Sequence, residues 1–383
     1  MLKTFRYTLL TVLLGLMVFH TIMTGSDTVK IFDPADMDTN AKPNDDFFQY
    51  AVGGWLKNNP IPGEYTQWGS FDQLADTNLK ELQGLLETAA ADKTAAPGSI
   101  IQKIGDFYTA AMDETIIESE GLKPLAEDFK RIDAVKDNKD LQKLVAYFHG
   151  YVIRPLFRAG VAPDPKNSRL NIIWLSQDGL GLPDRDYYLE ENDRSKSIRE
   201  EYLKHLTNMF QLINETPEKA AVSAKMVMTI ETRLAKASMS RLENRNPKTT
   251  YNKKNLQELA LMAPNFDFIA YFKNIGLENP HAFENYINVG QPKFFAEISA
   301  MLNDVNLEDW KPYLRWHLIR SAAPYLGSAF VKERFNFYDK FLSGQKEQKP
   351  RWKRAINEIN RSLGEAVGQF YVKKYFPPEA KTR

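Results

Sequence analysis

Five histidines are the only side chains here that could give nitrogen ligands to a transition metal: His20, His149, His205, His281 and His317. There is no cysteine among the 383 residues. That excludes disulfide frameworks, thiolate zinc sites, cysteine nucleophiles and a lipid-modified N-terminal cysteine. A helical zinc-hydrolase site takes two imidazoles four residues apart, usually as H-E-x-x-H, with the glutamate serving as base. No two of these histidines lie within five residues of each other, so that pair is absent. His149 follows an apolar face, and His317 lies within Tyr313-Leu-Arg-Trp-His-Leu-Ile319. Both read as packed or capping residues; convergence of distant histidines in space stays open.

The acidic residues give two further candidates. Asp36-Met-Asp38-Thr-Asn40 opens like a calcium loop, but its sixth position is Ala41 and its twelfth is Phe47. The glycine turn and the bidentate glutamate are both missing, so polarity of a linker is the better reading. Asp184-Arg-Asp186 could pair two carboxylates. In a proline-containing loop such residues more often cap and brace backbone, with Arg185 neutralising them. No P-loop, G-x-G-x-x-G or G-x-S-x-G motif occurs. Fifty Lys and Arg against 49 Asp and Glu leave a net charge of +1, which argues against a general nucleic-acid binder.

The elements that would position these residues are mostly helical. Leu79, Leu82, Leu85 and Leu86 share one helix face; Ile100, Ile104, Phe107 and Ala111 share another. Leu141, Leu144, Val145 and Phe148 follow the i, i+3, i+4, i+7 template, and Ile198, Tyr202, Leu206, Met209 and Ile213 continue it. Thr216-Pro217 is a cap followed by proline at the first helical position. Shorter helices are expected from Leu256 and Phe266, and a long one from Pro350 to about Phe376, stopped by Pro377-Pro378. Tyr151 to Val161 and Leu170 to Ser176 are β-rich, and the turn between them (Pro163 to Ser168) predicts a hairpin. Gly364 and Gly368, four apart in the last helix, predict close approach of a neighbouring helix. The basic residues at its two ends suggest docking on something the chain does not contain.

Lys3 and Arg6 precede an uncharged stretch from Tyr7 to Ser26, apolar from Leu9 to Ile22. A basic segment followed by a short apolar one reads as an export signal or, uncleaved, as an anchor through residues 7–26. Either places the rest of the chain across the membrane, in the periplasm or outside the cell. Val29 to Asn44 is polar and proline-punctuated, like a linker.

Several segments together resemble one family. Asp45-Asp-Phe-Phe-Gln-Tyr-Ala-Val-Gly-Gly-Trp-Leu-Lys-Asn-Asn-Pro-Ile-Pro62 resembles the opening of the neprilysin / endothelin-converting-enzyme zinc metallopeptidases, and Trp68-Gly-Ser-Phe-Asp72 follows at the family's spacing. Leu182 to Leu189, Glu231 to Ser238, Tyr313 to Leu318 onward, Phe335 to Tyr338, and Lys349 to Arg354 through Pro378 are similar to further blocks. The resemblance implies a mainly α fold: a helical lobe of a two-lobed metallopeptidase, here with a small β-hairpin, walling a cavity that admits peptides. In that family the zinc ligands, the general-base glutamate, the peptide-gripping Asn-Ala segment and the transition-state histidine belong to the C-terminal half. No catalytic or metal residue is therefore carried over, and zinc is expected in the complete family enzyme, not in this chain.

The resemblance divides the chain into a signal peptide or anchor (1–26), a linker (27–44) and a neprilysin-like N-terminal domain (45–383) without the catalytic zinc domain. Its expected partners are that zinc domain, in cis or as a separate chain, and peptide substrates. A chain cut short is expected to be inactive alone and to expose an apolar face. A stand-alone peptide-binding or inhibitory lobe is the alternative. Relatives often carry Arg at the position of Gln67 and Asp at that of Asp72, where both meet the C-terminal side of the peptide. Asp72 matches; Gln67 lacks the charge that would pair a free carboxylate. Asp72 reads equally as an N-cap ahead of Leu74 to Leu86. Val52 stands where many relatives have cysteine, which fits a member built without disulfides.

Overall fold

The computed structural model describes residues 33–376, apart from 284, and residues 378–381. The expected export segment, 1–26, lies outside the described residues. Among the described residues no helix is long and apolar enough to cross a membrane. The chain divides into two compact units, Met1–Pro62 with Gln67–Gly69, and Gly63–Thr66 with Ser70–Arg383.

The described part of the first unit is built on α1 (Phe47–Asn58). Asp46 caps it, accepting from the Gln49 amide at 2.8 Å. Asp38, the third residue of the calcium-like run, accepts from the Asn40 amide at 3.1 Å and from Gln49 Nε2 at 3.0 Å. These are bonds of a braced turn. A Cβ at Gly54 would strike the carbonyl oxygens of Ala35 and Met37, so only glycine lets that segment lie on the helix.

In the second unit, α2 (Ser70–Ala91), α3 (Ile100–Met112), α4 (Glu114–Glu120), α5 (Ala126–Asp133) and α6 (Asn138–Gly150) lead into β1 (Phe157–Asp164) and β2 (Asn167–Gln177). Then come α7 (Asp186–Leu189), α8 (Asp193–Leu212), α9 (Pro217–Ala237), α10 (Arg241–Asn244) and α11 (Pro247–Thr250). β3 (Lys253–Lys254), α12 (Leu256–Met262), α13 (Phe268–Asn274) and β4 (Ile287–Val289) follow. The unit closes with α14 (Pro292–Asp304), α15 (Leu307–Ala322), α16 (Ser328–Arg334), a π-helical turn (Phe335–Leu342) and α17 (Arg351–Tyr375). The fold is mainly α, as the sequence implies. Local chemistry sets the helix starts: Thr216 accepts from the Lys219 amide ahead of Pro217, and Asn255 and Glu258 form a reciprocal capping box.

The hairpin forms, but later than the sequence suggests. Tyr151 ends α6, and Val152 and Leu156 take positive φ, so pairing begins only at Phe157. The sheet is also larger than a hairpin. Its order is β1-β2-β4-β3, with β4 parallel to β2 and β3 antiparallel to β4.

Three apolar clusters hold the unit. The first joins the sheet to α6, α13, α14 and α15 through residues such as Phe148, Phe157, Phe294 and Trp310. The second joins α8, α9 and α15 through Tyr202, Val227 and Trp316. The third joins α2, α3 and α17 through Leu86, Ile104 and Ile356. Each fully buried aliphatic or phenyl side chain contributes about 1.5–3 kcal/mol relative to exposure. The glycine pair in α17 does not mark a close helix approach: a Cβ at Gly364 or Gly368 would meet nothing within 4 Å. Instead Leu363, next to Gly364, leaves helical geometry (φ −132°, ψ 24°), and the helix kinks there.

Candidate functional site

Three of the histidines are committed to the core. His149 Nδ1 lies 2.6 Å from Tyr271 Oη, and its Nε2 lies 3.1 Å from the Pro155 carbonyl, pinning the loop that enters β1. Burial pushes its pKa down to about 4. His205 on α8 pairs Nδ1 with Glu333 Oε1 at 2.8 Å and stacks on Phe337. Burial, the largest effect, lowers its pKa despite that carboxylate. His317 on α15 is edge-on to Tyr313, and burial together with Arg320 pulls its pKa to about 3. His281 is exposed in a 3-10 turn, Pro280–Phe283. His20 lies outside the described residues. Among the described residues no three of His, Asp and Glu are placed to hold a metal ion.

The acidic pair in the mid-chain loop is engaged in bracing. Asp184 accepts from the Asp186 amide at 2.8 Å, opening α7, and pairs with Arg241 Nε at 2.7 Å. Arg185 donates to the Ser238 carbonyl at 2.5 Å and lies 3.8 Å from Asp186.

The densest polar construction surrounds Glu231 on α9, which is wholly buried. Tyr188 and Tyr202 each donate to its Oε2 at 2.8 Å, and Trp316 Nε1 donates to Oε1 at 3.2 Å. Tyr188 Oη in turn accepts from the Gly181 and Leu182 amides at 3.1 and 2.9 Å. Tyr338 donates to the Gly181 carbonyl at 3.0 Å, and Arg320 to the Leu180 carbonyl at 3.0 Å. A Cβ at Gly181 would collide with the Tyr202 hydroxyl, so glycine is required there. Burial raises the Glu231 pKa to about 7, against the opposing hydrogen bonds and Arg320. This knot fixes the 180–182 loop. The sequence marks Glu231 only as the start of a block and gives no sign of its role.

A second construction ties α2 to α17. Lys353 Nζ, almost fully buried, donates to Glu64 at 2.5 Å, to Tyr65 Oη at 3.2 Å and to Asp76. Tyr65 donates to Asp76 at 2.7 Å, and Lys80 lies 3.0 Å from the same carboxylate. Burial alone would raise the Asp76 carboxyl, but Lys353, Tyr65 and Lys80 outweigh it and hold it at about 2.

Of the candidate peptide-binding residues, Gln67 is exposed, outside any helix or strand, and belongs to the first unit. Asp72 belongs to the second and stands in the first turn of α2. That helix begins at Ser70, so Asp72 is inside it and not its N-cap. A carboxylate in the first turn still favours the helix dipole. Beside it Phe71 is 88% exposed and Leu74 66%, so this helix end presents apolar surface next to the acid.

Residues 43–383 match the family model described as peptidase family M13. Endothelin-converting enzyme 1 of Mus musculus is 30% identical over 355 residues, covering 90% of this chain and 45% of the relative. The Homo sapiens protein is 30% identical over 358 residues, covering 91% and 46%. Among solved structures, the zinc metalloprotease ZMP1 of Mycobacterium tuberculosis in complex with inhibitor superposes with a TM-score of 0.83 at 31% identity. The match covers 90% of this chain and 52% of that one. PEPO of Lactobacillus rhamnosis shares the fold, with a TM-score of 0.70 at 19% identity over 86% and 51% of the two chains. The chain thus spans about half the length of the relatives it matches.

Proposed function

Because this chain belongs to peptidase family M13, we propose that it forms the non-catalytic lobe of an exported zinc metalloendopeptidase, walling a cavity that receives peptides. The catalytic zinc domain is then its partner, supplied in cis or as a separate chain by sequence outside these 383 residues. The observation that carries this reading is the placement of the histidines. His149, His205 and His317 are locked into core packing, with their pKa values lowered by burial. Zinc in such an enzyme polarises the scissile carbonyl and activates water. The described residues do not fit that metal, since no three potential ligands come together among them, and no catalytic step is assigned to this chain.

What the lobe contributes is shape and grip. The buried Glu231 and Lys353 networks brace the lobe from within, and Asp72 with the exposed Phe71 and Leu74 is the surface we assign to peptide contact. Residues 1–26 are read as the export signal or anchor, which puts the lobe in the periplasm or outside the cell.

The test is metal analysis and peptide hydrolysis with the purified chain. Substoichiometric zinc and no cleavage are expected. Adding a fragment that carries the H-E-x-x-H region should give chelator-sensitive cleavage, slowed by Asp72→Asn. One tightly held zinc per chain, with chelator-sensitive hydrolysis by this chain alone, would overturn the proposal.

A further inference from the structure

A cleft of about 810 Å³ opens where α3, α4, α16 and α17 meet, in a region outside the surface assigned to peptides. Phe107, Ala111, Ile117 and Pro324 give it an apolar wall. Four arginines, Arg334, Arg351, Arg354 and Arg361, line the rest. Three of the four have acceptors of their own. Arg334 donates to Asp339 at 2.9 Å. Arg351 donates to the Ala111 carbonyl at 2.7 Å, where it caps the end of α3, and lies 3.9 Å from Glu114. Arg361 donates to Glu358 and to Tyr325 Oη, both at 2.5 Å, and Tyr325 donates to the same glutamate at 2.7 Å.

Arg354 is different. Its guanidinium makes no hydrogen bond or ion pair among the described residues, and its Nε is fully buried without an acceptor. Burial lowers its pKa most, and Arg351 lowers it further; Glu114 pulls the other way, and Arg334 adds a smaller lowering. The helix adds to this imbalance. Arg351, Lys353 and Arg354 stand in the first turn of α17, where the dipole is already positive and no acidic residue is present. A half-buried, unpaired arginine among other cations is a binding element without its anion.

We propose that this cleft binds an organic carboxylate with an apolar body, the carboxylate forked on Arg354 and the body against the Phe107–Pro324 wall. A guanidinium offers two parallel N–H groups that match a carboxylate edge to edge. One unpaired cation suits a monoanion better than a phosphate dianion, because Glu358 already neutralises Arg361 within the same cleft. The volume is that of an ordinary small-molecule pocket. The carboxylate can be that of a free small molecule or of a peptide's terminal residue; both share this chemistry. The proposal does not depend on where the zinc domain comes from.

The test is isothermal titration calorimetry on the full chain with N-acetyl-phenylalanine, N-acetyl-phenylalaninamide, N-acetyl-dialanyl-phenylalanine and inorganic phosphate. The free acid should bind roughly tenfold tighter than the amide or phosphate, the forked charged bond being the difference. A terminal residue as the natural source predicts tighter binding of the tripeptide, and a free small molecule predicts the reverse order. Arg354→Met should lose binding roughly tenfold while melting no lower than the parent chain, because it removes a charge that braces nothing. Arg354→Lys, which keeps the charge but not the fork, should bind more weakly than the parent and covers the case in which the methionine variant fails to fold. Equal affinity for acid and amide, tighter binding of phosphate, no binding at all, or unchanged binding by both variants would each overturn the proposal.

Discussion

Glu231 should write itself into the pH dependence of stability. Its carboxyl moves from an ordinary 4.5 to about 7 on folding, because it is wholly buried. At about 1.4 kcal/mol per pH unit, that rise corresponds to about 3–4 kcal/mol. Between pH 4.5 and 7 the unfolded carboxyl has lost its proton while the folded one still holds it. Stability from this group therefore falls as pH rises through that window and levels off above about pH 7. Glu231→Gln abolishes the titration. Its amide oxygen can still accept from Tyr188 and Tyr202, while Trp316 Nε1 loses its acceptor at a cost of about 1–3 kcal/mol that does not vary with pH. The assay is urea unfolding of both chains at intervals from pH 5 to pH 8. Subtracting the two curves cancels every other titrating group. The parent should lose about 2–3 kcal/mol more than the variant across that range. Parallel curves would refute the reasoning, because they would mean that the carboxyl titrates alike in both states.

The buried histidines act in the opposite sense. A histidine kept neutral by burial takes up its proton more readily when unfolded, so stability falls as pH drops below 6.5 toward the folded values of about 4 for His149 and 3 for His317. His317→Gln should flatten the acid limb by about 1.4 kcal/mol per pH unit between pH 6 and 4.5, read by thermal melts; an unchanged limb would count against burial as the cause. Lys353→Met should destabilise the chain by about 3–5 kcal/mol in urea unfolding, because it takes the buried cation from Glu64 and leaves Asp76 only Tyr65 and the exposed Lys80. Lys80→Met, at the exposed edge of the same network, should change stability by less than about 1 kcal/mol. Similar effects of the two lysines would undo the distinction.

The helical part of the fold is legible because periodicity reports burial directly. Leu141, Leu144, Val145 and Phe148 are all buried, and Thr216-Pro217 starts a helix as its chemistry requires. The hairpin is legible from its β-branched runs and turn. β3 and β4 are not, since strands of two and three residues carry no pattern and form only because β2 offers β4 a partner and β4 in turn offers one to β3. The start of pairing is misread for a related reason. Tyr151 to Leu156 has strand composition, but the His149 bond to the Pro155 carbonyl holds that stretch as a loop. The Lys353 construction is illegible because its acids, Glu64 and Asp76, lie more than 270 residues away, and only folding brings them together.

The blocks that carry the family resemblance gain a physical meaning once they are placed. Leu182 to Leu189 supplies Tyr188, Glu231 to Ser238 supplies Glu231, the stretch from Tyr313 supplies Trp316 and Arg320, and Phe335 to Tyr338 supplies Tyr338. Four segments that look unrelated in sequence thus answer one another's hydrogen-bonding needs around the 180–182 loop. None of them can change alone without orphaning a buried polar group, at about 1–3 kcal/mol each. A recognisable motif here marks mutual obligation among buried partners rather than reacting groups. That is why the resemblance identifies the fold so well: the same tyrosines, tryptophan and glutamate that make the chain recognisable are occupied in holding it together.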